Sequence, residues 1–225
     1  MKKLVVLLAF TLVTVSATFA GTGFYVGLNT GINNVSLNKV DPLWSKYGSS
    51  KDKISTVSAR YAPTIGIQVG YQFVPKFGIQ TGVSSLRQGH HYQDSTYEKG
   101  SLDALYTADY VHIPLLFRFT TGRDGSGFFL EAGPHINFLQ SATLKESGTV
   151  VNETTDVSGK VQAKDLGLSF GLGISFQANS MFGFCFGFKG IYSLQNINKN
   201  VVNGYSAPKL TNSALGINIG VNYHF

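Results

Sequence analysis

The C-terminal run 214–225 constrains this chain more than any other feature. Leu215, Ile217, Ile219, Val221, Tyr223 and Phe225 are apolar or aromatic, and Ala214, Gly216, Asn218, Gly220, Asn222 and His224 stand between them. A β-strand sends successive side chains to opposite faces, so this run has one apolar face and one small, polar face. A helix of about 3.6 residues per turn would mix the two sets.

Seven earlier segments show the same period. Phe24, Val26, Leu28 and Ile32 alternate with Tyr25, Gly27, Asn29 and Gly31. Similar runs are centred on Ile65–Phe73, Phe77–Val83, Val111–Phe119, Phe128–Phe138, Leu166–Phe176 and Phe182–Phe188. Each is close to the roughly 9–11 residues that a tilted membrane strand needs. The connections alternate as well. Short links at 74–76, 121–126 and 178–181 separate long polar stretches at about 34–60, 90–108, 141–164 and 196–210. The expected fold is all-β: an eight-stranded antiparallel up-and-down transmembrane β-barrel, with short turns on one side and long loops on the other. The termini then lie on the periplasmic side and the long loops are extracellular.

Periodicity does not say which face points outward. A soluble barrel would put its apolar face inside and its polar face in water. Three observations favour the membrane. The polar face is Gly, Ser, Asn and Gln, where a water-facing wall would carry Lys and Glu. The apolar face is rich in Phe, a load too bulky for the narrow interior of eight strands. Phe24, Phe73, Phe77, Phe119, Phe128, Phe176, Phe182, Tyr223 and Phe225 gather beside the short turns, as an interfacial aromatic girdle does. Closure also pairs every backbone group, which lipid demands. Pro114 and Pro134 remove ladder donors, so local unpairing or bulges are expected there.

The first twenty residues read differently. Lys2 and Lys3 precede an apolar run from Leu4 to Val15 and the small-residue stretch Ser16-Ala17-Thr18-Phe19-Ala20. This is the order of an export signal cleaved after Ala20, and the apolar run is shorter than the roughly 20 residues of a membrane anchor. Residues 1–20 are therefore read as a signal peptide and 21–225 as the barrel domain. Only 13% of residues are charged, against about 25% in ordinary soluble domains. The single cysteine, Cys185, excludes an internal disulfide. The net charge of +6 falls to +4 without Lys2 and Lys3, and the basic residues are scattered, which disfavours nucleic acid as a partner.

With the apolar face outward, Arg118, Glu131 and Lys189 enter the lumen together with His112, His135 and His224. Isolated charges in a confined interior are costly, so these should pair or hold water. Arg118 and Glu131 flank the same short turn at nearly matching distances and are expected to meet, as part of a structural ion cluster. Eight strands leave no porin-type channel. For catalysis, His90-His91 with Asp94 and Glu98 could supply a base and its orienter. The spacing is not specific, and adjacent strand residues point to opposite faces, which also argues against a metal. No catalytic residue, metal site or cofactor is assigned.

The stretch Asp109-Tyr110-Val111-His112-Ile113-Pro114-Leu115-Leu116-Phe117-Arg118-Phe119 resembles the Y-[LIV]-x-[IL]-P-[LV]-L-[LF]-[KR] strand of the PorT-like outer-membrane β-barrel family. The Gly-rich run Leu166–Gly173 is similar to its G-x-x-x-G-x-G partner, and the closing Tyr223-His224-Phe225 resembles the terminal signal read by the barrel-assembly machinery. The resemblance covers the mature chain, accounts for Pro114, and implies an outer-membrane location and an eight-stranded barrel. Some relatives act in protein secretion, and the family has no defined catalytic set. The expected role is a non-enzymatic barrel, structural, surface-interacting or associated with secretion or assembly. Its partners would be outer-membrane lipid, the assembly machinery during biogenesis and an envelope or secretion-complex protein. Trp44, Tyr47, Tyr92, Tyr97 and Tyr106 are aromatics of the long stretches suited to contacts. The alternatives are a narrow passive pore or small-ligand binder, and a lipid-modifying enzyme or protease.

Overall fold

The computed structural model describes residues 23–38, 56–58, 60–97, 100–122, 126–148, 152–199 and 210–225. The signal segment, Trp44, Tyr47 and Glu98, together with the side chains of Tyr92, Asp94 and Tyr97, lie outside the described residues. The described residues form ten strands: β1 (Gly23–Asn38), β2 (Thr56–Ser58), β3 (Arg60–Val74), β4 (Phe77–Tyr97), β5 (Gly100–Thr120), β6 (Gly127–Gly148), β7 (Asn152–Asp156), β8 (Lys164–Gln177), β9 (Phe182–Ser193) and β10 (Thr211–His224). Eight form the wall, each antiparallel to its neighbours, in the order β4-β3-β1-β10-β9-β8-β6-β5, and β4–β5 pairing closes the ring. β10 lies against β1, so the two ends of the chain seal the barrel. The short β2 and β7 pair with β4 and β6.

The wall strands are longer than the alternating runs. β4 and β5 have 21 residues each and β6 has 22, so much of 90–108 and 141–148 is strand. The extra length has its own polarity. Below a consistent level, outward side chains are apolar: Val111, Ile113, Leu115, Phe117 and Phe119 on β5, and Leu215 through Tyr223 on β10. Above it, outward positions become Asn34, Ser85, Arg87, Asp109, Ser141, Lys145 and Ser213, while the inward ones become Val35, Leu37, Leu86, Tyr106, Tyr110 and Leu144. The same strand thus turns its apolar side from outside to inside where lipid gives way to water. The apolar belt covers about nine residues per strand, roughly 20–25 Å of height once strands tilt.

On β5 the inversion is written as a change of phase, since even-numbered apolar residues up to Tyr110 give way to odd ones from Val111. On β6 the apolar residues Ile136, Phe138, Ala142 and Leu144 keep one parity. There a β-bulge does the work: the register shifts between Asp109↔Ser141 and Tyr110↔Leu139, leaving Gln140 as the extra residue. Phe138 therefore faces outward and Leu144 inward. At Pro114 and Pro134 pairing is locally interrupted and the register is unchanged on either side.

At the turn end, aromatic rings form pairs around the rim. Phe24 and Tyr71 centroids lie 4.6 Å apart, Phe77 and Phe119 5.2 Å, and Tyr223 stands 5.4 Å from Phe182 and 5.2 Å from Phe225. The backbone N–H of Phe225 donates to the Phe24 carbonyl at 3.1 Å, fastening the C-terminus to β1.

Candidate functional site

The interior is filled in three layers. The layer nearest the turns is ionic. Arg118 stands opposite Glu131 in the β5–β6 register, Glu131 opposite Gly171 in β6–β8, and Gly171 opposite Lys189 in β8–β9. Arg118 Nη1 lies 3.6 Å from Glu131 Oε2 and donates to Gln80 Oε1 at 3.3 Å, and its guanidinium carbon stacks 4.0 Å from the Phe129 ring centre. Gly171 leaves the room that the Glu131 side chain fills: a Cβ there would lie 2.7 Å from Glu131 Oε1. Tyr25 donates to the same Gln80 oxygen at 2.8 Å, and Gln68 links Asn29, Gln80 and Asn222. A cavity of about 50 Å³ between Arg118, Glu131, Lys189 and Cys185 has room for a few waters.

The middle layer centres on Asp165, which is fully buried. Its Oδ2 accepts from Ser193 Oγ at 2.5 Å, Asn212 Nδ2 at 3.1 Å and Asn137 Nδ2 at 3.2 Å. Because Asn137 donates to Asp165, its carbonyl oxygen faces His112 Nδ1 at 2.7 Å and must accept. His112 Nδ1 is then the donor of that bond. The His135 ring lies 5.0 Å from that of His112, tilted by 56°, and Ser169 Oγ sits 3.0 Å from His135 Nδ1. A hydroxyl on an imidazole near a carboxylate has the membership of a hydrolytic triad, but not its order. Asp165 binds two asparagines and a serine, and Ser169 is 1% exposed in a filled lumen.

The third layer, at the loop end, is mainly apolar, with Gln88, His90 and Glu146 also buried at its level. Val35, Leu37, Leu86, Tyr106, Tyr110 and Leu144 from the wall pack with Val157, Val161, Ile197 and Leu210 from the connections. The segment carrying Val157 and Val161 is wound into a short 3-10 turn at Ser158–Lys160. It is pinned on both sides. Val157 N–H donates to the Ala142 carbonyl at 2.9 Å, Ala142 N–H to Ser158 Oγ at 2.8 Å, and Gln162 N–H to the Ile197 carbonyl at 2.8 Å. The connection forms a stopper. Tyr106, one of the aromatics weighed above for contacts, is fully buried in it.

Of the residues weighed for catalysis, His90 faces the lumen and His91 the outside, where His91 Nε2 meets Asp103 Oδ1 at 2.6 Å. They do not converge. Tyr223 and Phe225 stand on the outer face of the turn end. Sequence reasoning missed Asp165 and its asparagines, although Asp165 is the one acidic residue at an inward position of β8. Outside the loop end, Arg60, Tyr61, His91, Asp103, Lys145 and Ser147 line a shallow polar groove across β3–β6.

A closed wall with an apolar outer belt, an aromatic rim and a packed interior defines an integral β-barrel of the outer membrane. Residues 17–199 match the family described as outer membrane protein beta-barrel domain, and the chain belongs to it. Among solved structures, OprG from Pseudomonas aeruginosa is similar at 14% identity and a TM-score of 0.51, over 92% of this chain and 98% of that one. Neisserial surface protein A is similar at 16% identity and a TM-score of 0.47, over 90% and 97%. These likenesses concern the fold. A search of curated protein sequences gives no match.

Proposed function

We propose that the protein is a non-enzymatic outer-membrane barrel that works through its loop end, as a rigid surface for a protein partner of the envelope or the exterior. The observation that carries this reading is the stopper: an apolar core closes the lumen above two polar layers, so the working surface is the outside of the projecting strands. β4, β5 and β6 extend beyond the apolar belt and, with Arg60 and Tyr61 of β3, line a mixed-charge groove, the composition of a protein-contact surface. In this reading residues 1–20 export the chain, Tyr223 and Phe225 serve the assembly machinery, and the termini stay periplasmic with the loops outside. The PorT-like strand at Asp109–Phe119 favours a secretion or assembly complex as the partner.

The test is cross-linking of the tagged protein in its native outer membrane. A stoichiometric partner whose cross-links map to Arg60, His91 or Lys145 supports the reading. Recovery of lipid and abundant bystanders alone overturns it. Conductance in planar bilayers separates the rival passive pore, since the stopper predicts a silent barrel and steady channels would favour the pore.

A further inference from the structure

The outer face above the apolar belt carries two cations without counter-charges, and the strand register sets them side by side. His91, Leu105 and Lys145 share one row across β4, β5 and β6. Gly89, Thr107 and Thr143 form the next outward row toward the membrane. Arg60 belongs to β3, yet its Nη1 donates to Thr107 Oγ1 of β5 at 2.8 Å. Gly89 is paired with Thr107 and has no side chain, so β4 leaves the guanidinium a clear way across. Thr107 and Lys145 are diagonal neighbours on β5 and β6, about 7–8 Å apart. The guanidinium of Arg60 and the stem of Lys145 thus flank one spot beside Leu105.

Neither cation is neutralised. The partner of Arg60 is an uncharged hydroxyl, which takes one of five guanidinium N–H groups. No ion pair holds Lys145 among the described residues. The carboxylates at hand are engaged: Asp103 Oδ1 meets His91 Nε2 at 2.6 Å, and Asp156 Oδ1 on β7 accepts from Ser158 N–H at 2.8 Å. Arg87, by contrast, is held by two contacts from Asp109. The groove of about 460 Å³ across β3–β6 therefore has two cations against one carboxylate, with His91 counted as neutral. Its walls also include Tyr61, 73% exposed, and the half-buried Leu105. On β4 the apolar belt ends at Val83, and His91 lies roughly 26 Å farther along the strand, a height for water and not for acyl chains.

We infer that this groove receives an acidic segment of the protein partner, with a carboxylate between Arg60 and Lys145 and an apolar or aromatic side chain against Tyr61 and Leu105. The inference rests on the surface-contact reading above and names the chemistry of the partner. Excess positive charge steers an acidic partner in and turns a basic one away. The tyrosine and the leucine supply contact area that a small bare anion cannot use.

The experiment is cross-linking on intact cells that carry the full chain. Tyr61→p-benzoylphenylalanine captures by light whatever lies in the groove. A carbodiimide separately couples the Lys145 amine to any carboxylate in contact with it. Folding of every variant is checked by heat-dependent gel mobility. We expect one protein photo-adduct, kept in Lys145→Arg and reduced about tenfold when Arg60→Glu and Lys145→Glu are combined, the scale of one lost charge-assisted contact. Raising salt should lower its yield without any charge substitution. The carbodiimide adduct should join Lys145 to an Asp or Glu of the same partner and vanish in Lys145→Arg, although the photo-adduct stays. A photo-adduct indifferent to charge reversal and to salt, or Lys145 coupled to no carboxylate of the partner, overturns the acidic contact and leaves the surface-contact reading standing. The absence of any protein adduct at position 61 overturns both.

Discussion

The turn half and the loop half of this barrel are built from the same strands on opposite plans. Below the level of Val83, Val111 and Leu215 the wall is greasy outside and polar inside; above it, Arg87, Asp109 and Ser213 face out while Leu86, Tyr110 and Ala214 face in. The turn half is a membrane barrel whose interior is hydrogen-bonded and ionic. The loop half is a small soluble barrel with an apolar core of its own. The difference teaches that outer solvent, more than strand identity, decides which face carries the hydrophobic load. It also explains how a lumen with a polar floor can be sealed: the stopper is the core of the upper barrel.

The strongest way to break this comparison is to exchange Leu144 and Lys145, as the double substitution Leu144→Lys with Lys145→Leu. The bulge at Gln140 turns Ala142 and Leu144 inward although they share parity with the outward Phe138. The exchange keeps the register but sends a leucine to water and a lysine into the core. We expect the loop half of β5–β6 to become protease-sensitive while the turn half stays resistant. Limited proteolysis in vesicles reads this directly, and uniform resistance would mean that the inward face of the loop half carries no core of its own.

Glu131→Gln tests the floor of the lower barrel. It leaves Arg118 and Lys189 as buried cations without their shared carboxylate, a loss of about 3–5 kcal/mol by analogy with broken buried pairs. Reversible unfolding in urea with the barrel in lipid vesicles would measure it.

The alternation, the closure and the facing of the lower half were legible because period two survives in Gly-rich strands, and the polar face there lacks the Lys and Glu that water would call for. The meeting of Arg118 with Glu131 was readable from their distances to a shared turn. The upper half was not legible as strand. Its outward residues are polar and its inward ones include Ala104, Ala108 and Gln88, so the 90–108 stretch has the composition of a loop. The phase change between Tyr110 and Val111 was present in the sequence, but two apolar residues in succession look like noise until both halves are known to be strand. Asp165 was passed over for a different reason: it precedes the Gly-rich run, and its three partners come from β6, β9 and β10.

A single charge placed on the two outer faces sharpens the boundary. Ile219→Lys, near the middle of the apolar belt, should cost about 2–4 kcal/mol. Ser147→Lys, on the outer face above it, should change stability by less than about 0.5 kcal/mol. Both follow from unfolding in vesicles, and equal costs would erase the distinction between the halves.

The smallest effect separates contact distance from contact strength. Arg87–Asp109 is the shorter ion pair, at 2.6 Å, and stands at the outer rim with side chains 44% and 36% exposed. Arg118–Glu131 is longer, at 3.6 Å, with side chains 12% and 9% exposed. Water screens the rim pair and re-solvates either partner when the other is lost, so Asp109→Asn should cost no more than about 1 kcal/mol. The lumen pair has no such refuge, and its disruption should cost several times more despite the poorer distance. Salt divides them further. Raising ionic strength should shrink the effect of Asp109→Asn and leave that of Glu131→Gln nearly unchanged, because screening ions reach the rim and not the sealed floor. If the two substitutions responded alike to salt, the lower lumen would be open to solvent ions, and the stopper would not close the barrel.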